Sequence, residues 1–361
     1  MFYRTTELFK DTAMGASGTE IIDINVQKPI SQLIIHQRST GSGDVPTAHL
    51  AAVVSKIEIV DGSDVLYSLS GYEAQAFDFY HRKMVPLNAN VYLTGVQGIT
   101  CYVLNFGRYL WDELLAFSPG KFSNPQLKIT YDRDAGGNNS SALELQVVAH
   151  LFDEKEVTPA GFLMHKEIKK YSLSNLSWEY TDLPTDYAYR MLMVQSIYPG
   201  KSPHSQFREM KLSEDVDKKI PFDFITNELI KFMQTQYPLF VENLRGSGAA
   251  AAADRTYYVT PAYVAHFSGE LVKNAAGYVR ADEGNGGTIV MKTSVAGNLI
   301  GLVQGFCPHG SVVVPFGKPD IVEDWYGVKD IGSLKLNVKG GTTVGSGSTA
   351  QICLQQYRPT P

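Results

Sequence analysis

Apolar residues along this chain recur at every second position or in short compact runs, the spacing of strands rather than helices. Ile21 to Val26 is short and β-branched, and Leu33-Ile34-Ile35 is a compact apolar run. Lys56-Ile57-Glu58-Ile59-Val60 alternates with period two, Asp61-Gly62 supplies a turn, and Val65 to Leu69 resumes, which predicts a hairpin. Ile99 to Leu104, Gln126 to Tyr131 and Leu143 to Leu151 continue the pattern. The second half repeats it at Leu173–Tyr180, Tyr189–Ile197, Glu209–Leu212, Thr256–Val264, Thr288–Thr293, Leu299–Val303, Ser311–Val314, Leu334–Val338 and Ala350–Gln356.

Two stretches inside the halves have helical spacing. Ser70 to Lys83 places Tyr72, Ala76, Phe79 and Tyr80 on one face, and Ser70 with Glu73 forms a capping box. Asp223 to Gln236 places Ile225, Leu229, Phe232 and Met233 on one face, with Asp223 as cap. Thr5 to Met14 is a third, short amphipathic candidate. Strands dominate and helices do not alternate with them, so βαβ folds are excluded.

The halves resemble each other. Ile57, Ile59, Leu69, Tyr72 and Ala76 match Met210, Leu212, Phe222, Ile225 and Leu229 at a constant spacing of 153 residues. Leu33 to Gln37 matches Met191 to Gln195, Phe106-Gly107-Arg108 matches Phe316-Gly317-Lys318, and Gln126 to Ile129 matches Ser333 to Leu336. Ordered agreement across four blocks is the signature of a duplication. The fold class that follows is all-β: two eight-stranded jelly-roll sandwiches in tandem, with one helix inserted in each. The expected organisation is an N-terminal arm over 1–16, a first jelly roll over 17–153, a linker over 154–169 and a second jelly roll over 170–361. The charged stretch Asp153–Lys170, broken by Pro159-Ala160-Gly161, marks the boundary. Between helix and Phe-Gly motif the second half carries 57 more residues than the first, an insertion over about 238–295. It contains the low-complexity run Ala249–Ala253, the turn Gly284–Gly287 and Tyr257, Tyr258, Tyr263 and Tyr278, and should fold as a small cap at a barrel end.

Composition narrows the function. In 361 residues, 32 Lys+Arg against 37 Asp+Glu give a net charge of −5, which excludes an overall basic nucleic-acid binder. The charged fraction of 19% is below the roughly 25% of ordinary soluble domains, as expected where other subunits cover much of the surface. Cys101, Cys307 and Cys353 are too few and scattered for a disulfide scaffold or zinc ribbon and read as buried thiols. The N-terminus lacks the pattern of a cleaved signal, and no apolar run approaches the roughly 18 residues of a membrane span.

The unit Lys56–Ser63 with its helix from Ser70, the segment Phe106-Gly107-Arg108 with Asp112 and Phe122–Leu127, and the echo Phe316-Gly317-Lys318 together resemble the double jelly-roll major capsid proteins of tailless icosahedral viruses, especially those of prokaryotes. The resemblance runs from about Thr19 to Tyr357. It implies a homotrimer of pseudo-hexagonal outline that tiles an icosahedral virion shell around a DNA genome. It further implies synthesis in the host cytoplasm and partners comprising other copies of itself, penton or minor capsid proteins, and an internal membrane or the packaged DNA at the inner face. Barrels stand upright in this family and towers rise from the outer surface. Glycan-binding and glycan-cleaving proteins built on paired jelly rolls are the alternative, because sandwiches host many functions.

No motif argues for chemistry: no catalytic, cofactor or metal residues are expected, and the reading is of a structural protein, not an enzyme. His36, His49, His81, His150, His165, His204, His266 and His309 show no metal-ligand spacing. Cys307-Pro308-His309 reads as a turn rather than a Cys-His dyad. Asp112-Glu113 and Glu323-Asp324 read as solvated loop charge, and Gly284-Asn285-Gly286-Gly287 as a turn without the Lys-Ser/Thr of a phosphate loop. Trp111, Trp178 and Trp325 read as packing groups ahead of carbohydrate platforms. Phe2 to Met14 reads as an arm that orders on assembly or meets a membrane or genome, and Lys166, Lys169 and Lys170 as a solvated basic cluster.

Overall fold

The computed structural model describes residues 2–248, 253–272, 279–293 and 297–361. Its first nine strands are β1 (Tyr3–Ala13), β2 (Ser17–Asp23), β3 (Ile30–Gly41), β4 (Val54–Asp61), β5 (Asp64–Leu69), β6 (Asn88–Tyr92), β7 (Gln97–Asn105), β8 (Pro125–Asp132) and β9 (Ser140–Phe152). Then come β10 (Gly161–Ser172), β11 (Trp178–Asp182), β12 (Tyr189–Gln195), β13 (Phe207–Glu214), β14 (Lys219–Ile225), β15 (Phe240–Ser247) and β16 (Asp254–Tyr258). The rest are β17 (Pro261–Val272), β18 (Val279–Ala281), β19 (Thr288–Thr293), β20 (Asn298–Pro308), β21 (Ser311–Pro315), β22 (Leu334–Gly340) and β23 (Thr349–Pro359).

The pairing order makes two jelly rolls. In the first, β1-β9-β3-β7 faces β2-β8-β4-β5; in the second, β10-β23-β12-β21 faces β11-β22-β13-β14. Each roll therefore has eight strands connected in the same way, with one long helix between its fifth and sixth strands. The rolls are not separate sheets. β5 pairs in parallel with β10 at Tyr67↔His165 and Ser68↔Lys166, so a face of each roll joins one continuous eight-stranded sheet. On the other side, β6 extends the sheet beyond β7, and β15 of the second half pairs in parallel with β6 over Ala89–Tyr92.

Local chemistry explains the elements. In β4, Ile57 and Ile59 point inward and are fully buried, and Gly62 closes the turn to β5 with φ of +60°, a conformation that favours glycine. The first helix, Gly71–Arg82, starts at the expected capping box: the Ser70 Oγ accepts from the Glu73 N–H (3.3 Å), and Glu73 Oε2 accepts from the Ser70 N–H (2.6 Å). This helix is buried nearly all round, not along a single stripe, because it lies between the rolls. Phe77, Phe79 and Tyr80 belong to one apolar cluster that runs through both rolls, and the Tyr80 hydroxyl donates to the Ser311 carbonyl of β21 (2.9 Å). The second helix, Thr226–Gln236, begins later than Asp223 suggested. Asp223 sits in β14, paired with Lys211, so sheet pairing takes the residues that local sequence offered as a cap. That helix buries Leu229, Ile230 and Met233 and leaves Phe232 exposed; Ile225, read as part of the same face, is the last residue of β14 and is also exposed.

Four further expectations are corrected. Thr5 to Met14 is not helical: through Ala13 it belongs to β1, antiparallel to β9, where threonines at 5, 6 and 12 suit a strand. The stretch 154–169 is linker only to Ala160. From Gly161 it is β10, flanked on both sides by strands, and its charges meet partners on strands beyond its immediate neighbours: Glu167 accepts from Lys56 of β4 (3.1 Å), and Lys169 pairs with Glu179 of β11 in the facing sheet. Leu173 to Tyr180 is not one strand, since β10 ends at Ser172 and β11 starts at Trp178. The inserted strands run from Phe240 to Pro308, past the expected end near 295.

The internal repeat reaches further than its sequence blocks. Phe106 and Phe316 each directly follow the sixth strand of their roll and stack on a ring later in the same loop, Phe117 at 5.2 Å and Tyr326 at 5.0 Å. The backbone of Phe117 bridges to Ile30, the first residue of β3; that of Tyr326 bridges to Tyr189, the first residue of β12. The two rolls thus close their ends with the same device. Truncating either ring should cost about 3–5 kcal/mol of unfolding free energy, as large core aromatics do. Urea titration of Phe106→Ala and Phe316→Ala checks this, and a cost below about 1 kcal/mol at Phe106 would mean that the stack does not hold the loop.

Candidate functional site

The residues singled out for chemistry scatter. Cys307 and His309 flank Pro308 in the turn between β20 and β21, with φ of 54° and 51°. Both are buried, but His309 Nε2 donates to Gln75 Oε1 (2.8 Å), and burial pushes the Cys307 thiol far above its ordinary range. The turn reading holds. A different pair meets instead: Cys101 Sγ lies 3.1 Å from His36 Nδ1 across β7 and β3. Burial pushes this thiol up to about 11 and the imidazole down, so both are neutral near pH 7 and the contact is a weak hydrogen bond, not an activated nucleophile. Among the described residues no cluster of three His, Cys, Asp or Glu side chains could hold a metal ion.

Asp112 is not solvated loop charge. It is buried, accepts from Arg108 Nε (2.7 Å), NH2 (2.8 Å) and backbone N–H (3.0 Å), and is held below the usual carboxylate range by these donors despite its burial. The second roll reuses half of this device: Asp324 Oδ2 accepts from the Lys318 N–H (2.7 Å). Glu323 and Asp324 are exposed, as expected. Arg108 also donates to the Asp320 carbonyl (2.7 Å), which ties the end loops of the two rolls together. Trp111 packs on Tyr3 (4.4 Å) and Phe152, so it anchors the N-terminal strand, and Trp325 is buried with its Nε1 donating to the Lys318 carbonyl (3.1 Å). Trp178 lies half-buried beside Tyr180 on β11, an edge strand. Gly286 and Gly287 have φ of +63° and +70° and form the expected turn.

The insertion folds as a cap, and its floor is the first roll. β15, β20 and β17 continue the sheet beyond β6, and β16-β19-β18 forms a small sheet packed against them. A second apolar core fills the space, combining Tyr92 of the first roll with Leu244, Tyr257, Ile289, Met291 and Val303. Most of the run Ala249–Ala253, Tyr278 and the expected end at Val295 lie outside the described residues.

Beneath the cap is a sealed polar network. The Ala51 N–H donates to His49 Nδ1 (3.0 Å), which leaves the His49 proton on Nε2, 3.0 Å from Thr260 Oγ1. The Thr260 hydroxyl and N–H donate to Glu242 (2.6 and 2.7 Å), and Asn88 Nδ2 donates to the same carboxylate (3.4 Å). Gln75 Nε2 donates to Asn88 Oδ1 (2.7 Å) and to the Cys101 carbonyl (2.9 Å). His49, Gln75 and Asn88 come from the first roll; Glu242, Thr260 and His309 come from the second half. All are at most 4% exposed, so the network is a tie between halves and offers no substrate access. Sequence reading missed it because its members are scattered from residue 49 to residue 309 and carry no local spacing.

No family model and no curated protein matches the sequence. Solved structures do match. The crystal structure of the STIV major capsid protein aligns over 99% of this chain and 97% of its own, with a TM-score of 0.61 and 13% identity. The chain has the double jelly-roll capsid-protein fold. Major capsid protein P2 of bacteriophage PM2 shares this fold over 99% of the present chain and 98% of its own, with a TM-score of 0.56 and 8% identity. The PBCV-1 capsid model shares it over 98% and 93%, with a TM-score of 0.55 and 10% identity.

The tie makes a pH prediction for this double jelly-roll chain. Burial raises Glu242 to about 7, above its unfolded value near 4.5, so its contribution is present at low pH and is lost as pH rises through about 7. Buried His49, His81, His165 and His309 are all lowered and act oppositely, losing stability as pH falls below about 6.5. Relative to the parent chain, Glu242→Gln should therefore lose less stability as pH rises from about 4.5 to about 7. Urea titrations at both ends of that window check it; an unchanged slope would show that Glu242 ionises freely in the fold.

Proposed function

We propose that this chain is the major capsid subunit of a tailless icosahedral DNA virus, that it acts structurally and not as an enzyme, and that it resides in the virion shell. Three copies would form a capsomer of pseudo-hexagonal outline, since two rolls per chain around a three-fold axis give six similar lobes. The observation that carries the reading is the side-by-side locking of two like rolls through shared sheets, over the full length of the chain and of its capsid-protein neighbours.

Surface features support it. Phe224, Ile225 and Phe232 are exposed together around the second helix, and Val241, Ile300 and Leu302 on β15 and β20. Large apolar side chains left in such groups are the raw material of subunit contacts. The insertion contacts the loop between β3 and β4, where Arg255 donates to the Asp44 carbonyl (3.1 Å), while both chain ends lie at the opposite pole, beside the loop carrying Leu114 and Ala116. We assign the cap to the outer surface and the pole of the termini to the inner one. There Tyr109, Leu110, Leu114 and Ile321 are exposed, which suits contact with minor capsid proteins, an internal membrane or the packaged genome.

The purified chain should sediment as a trimer, with contacts of roughly 2,000 Å² or more per pair, as obligate assemblies show. Phe232→Asp should leave the circular dichroism unchanged and shift sedimentation to the monomer. A wild-type chain that stays monomeric under conditions where particles persist would refute the capsomer reading.

A further inference from the structure

We propose that a pocket between the two helices binds a compact oxyanion, a carboxylate or a phosphate, through Arg190 and Lys83. The pocket holds about 170 Å³, room for such a group and a short tail, and lies where the C-terminal ends of both helices meet the end of β21. Arg190 interrupts the apolar run Tyr189-Arg190-Met191-Leu192, and this charge in a buried strand is the one sequence signal that marks the place. It is 4% exposed.

The hydrogen bonds of Arg190 define what is left over. NH1 donates to Gln355 Oε1 (2.7 Å) and to His81 Nδ1 (3.0 Å), and Nε donates to the Pro319 carbonyl (2.9 Å). Every one of these acceptors is neutral, since burial and the charge of Arg190 keep His81 unprotonated. Asp320 and Asp112 act on Arg190 only as more distant charges, without a hydrogen bond. No described residue accepts from the second terminal nitrogen, whose two N–H bonds remain of the five a guanidinium carries. One face of the guanidinium lies 5.8 Å from the Trp325 ring, which fixes its plane.

A second cation lines the same pocket. Lys83, the exposed left-handed cap of the first helix, stands with Nζ 5.5 Å from the Tyr237 ring. No Asp or Glu is among the lining residues; Tyr237, Phe232, Gln236 and Phe316 complete the walls. The helix ends offer only roughly half a negative charge each, less than the two full positive charges that face the cavity. A largely buried guanidinium with no carboxylate in hydrogen-bond contact is costly, and an oxyanion bridging NH2 and Nζ would reduce that cost.

The test uses the full-length dissociated subunit, titrated calorimetrically with inorganic phosphate and with acetate against chloride at equal ionic strength. Saturable binding of at least one probe is expected, with a raised unfolding temperature. Arg190→Met and Lys83→Met should each weaken binding about tenfold or more. Lys83 is exposed, so its variant should keep the wild-type unfolding temperature without the probe, which separates lost binding from lost folding. Assembled particles that still take up the probe would identify a free anion as the occupant; particles that exclude it would identify an acidic side chain of a neighbouring copy. Only that comparison rests on the capsid reading. No saturation by either probe into the tens of millimolar, or binding unchanged in both variants, would overturn the site.

Discussion

Unpaired sheet edges are the constraint on which this structure depends. A jelly roll ends each of its sheets in a strand with free N–H and C=O groups, and such edges recruit partners unless they are covered. Here the second half covers both outer edges that the first roll turns toward it. β10 pairs with β5, and β15, reached through β6, completes the sheet beyond β7. The same pairings set the rolls in one orientation and leave a gap between them that the first helix fills. A helix so placed must be apolar on most sides and must satisfy its polar groups internally. Asp78 accordingly pairs with Arg82 (2.5 Å) and accepts from Asn105 (2.8 Å), and Gln75 bonds to Asn88 and His309.

The insertion follows from the same constraint. It belongs by sequence to the second roll, but its sheet grows from the first, and its core is built around Tyr92. A long loop would cost entropy and gain little; a loop that finishes a neighbour's sheet gains backbone pairing and apolar burial together. The polar network under it adds direction. Buried amides, imidazoles and a carboxylate that all find partners tolerate one docking geometry, whereas an apolar contact would allow several. Rigidity of this kind would suit the proposed place in a shell, since small angular errors accumulate over a closed lattice.

Much of this was legible in the sequence, where local chemistry and periodicity decide the outcome. The capping box at Ser70, the Asp61-Gly62 turn, the alternation at Ile57 and Ile59 and the repeated Phe-Gly motif each act through neighbours in the chain, and each is found as read. What escaped depends on tertiary contacts. Lys166, Lys169 and Lys170 suggested a solvated linker because the partners of that strand's charges sit on other strands: Lys56, 111 residues from Glu167, and Glu179, brought to Lys169 only by the fold. Asp112 is a different case: its partner Arg108 is only four residues away, but the two sit in an irregular loop, where no periodicity announces that the chain folds back to form the fork. Glu242 and Thr260 carry no motif. The N-terminal segment suggested a helix from its spacing, but the open edge of β9 made it a strand.

The most direct test of the account cuts the chain where it passes between the rolls. A protease site placed in the connection at 154–158 would sever it without touching a strand. If shared edges, the first helix and the cap hold the halves together, the nicked protein should elute as one species of unchanged size with unaltered near-ultraviolet circular dichroism. Separation into two fragments under native conditions would contradict the account, because the rolls would then be joined by the chain alone.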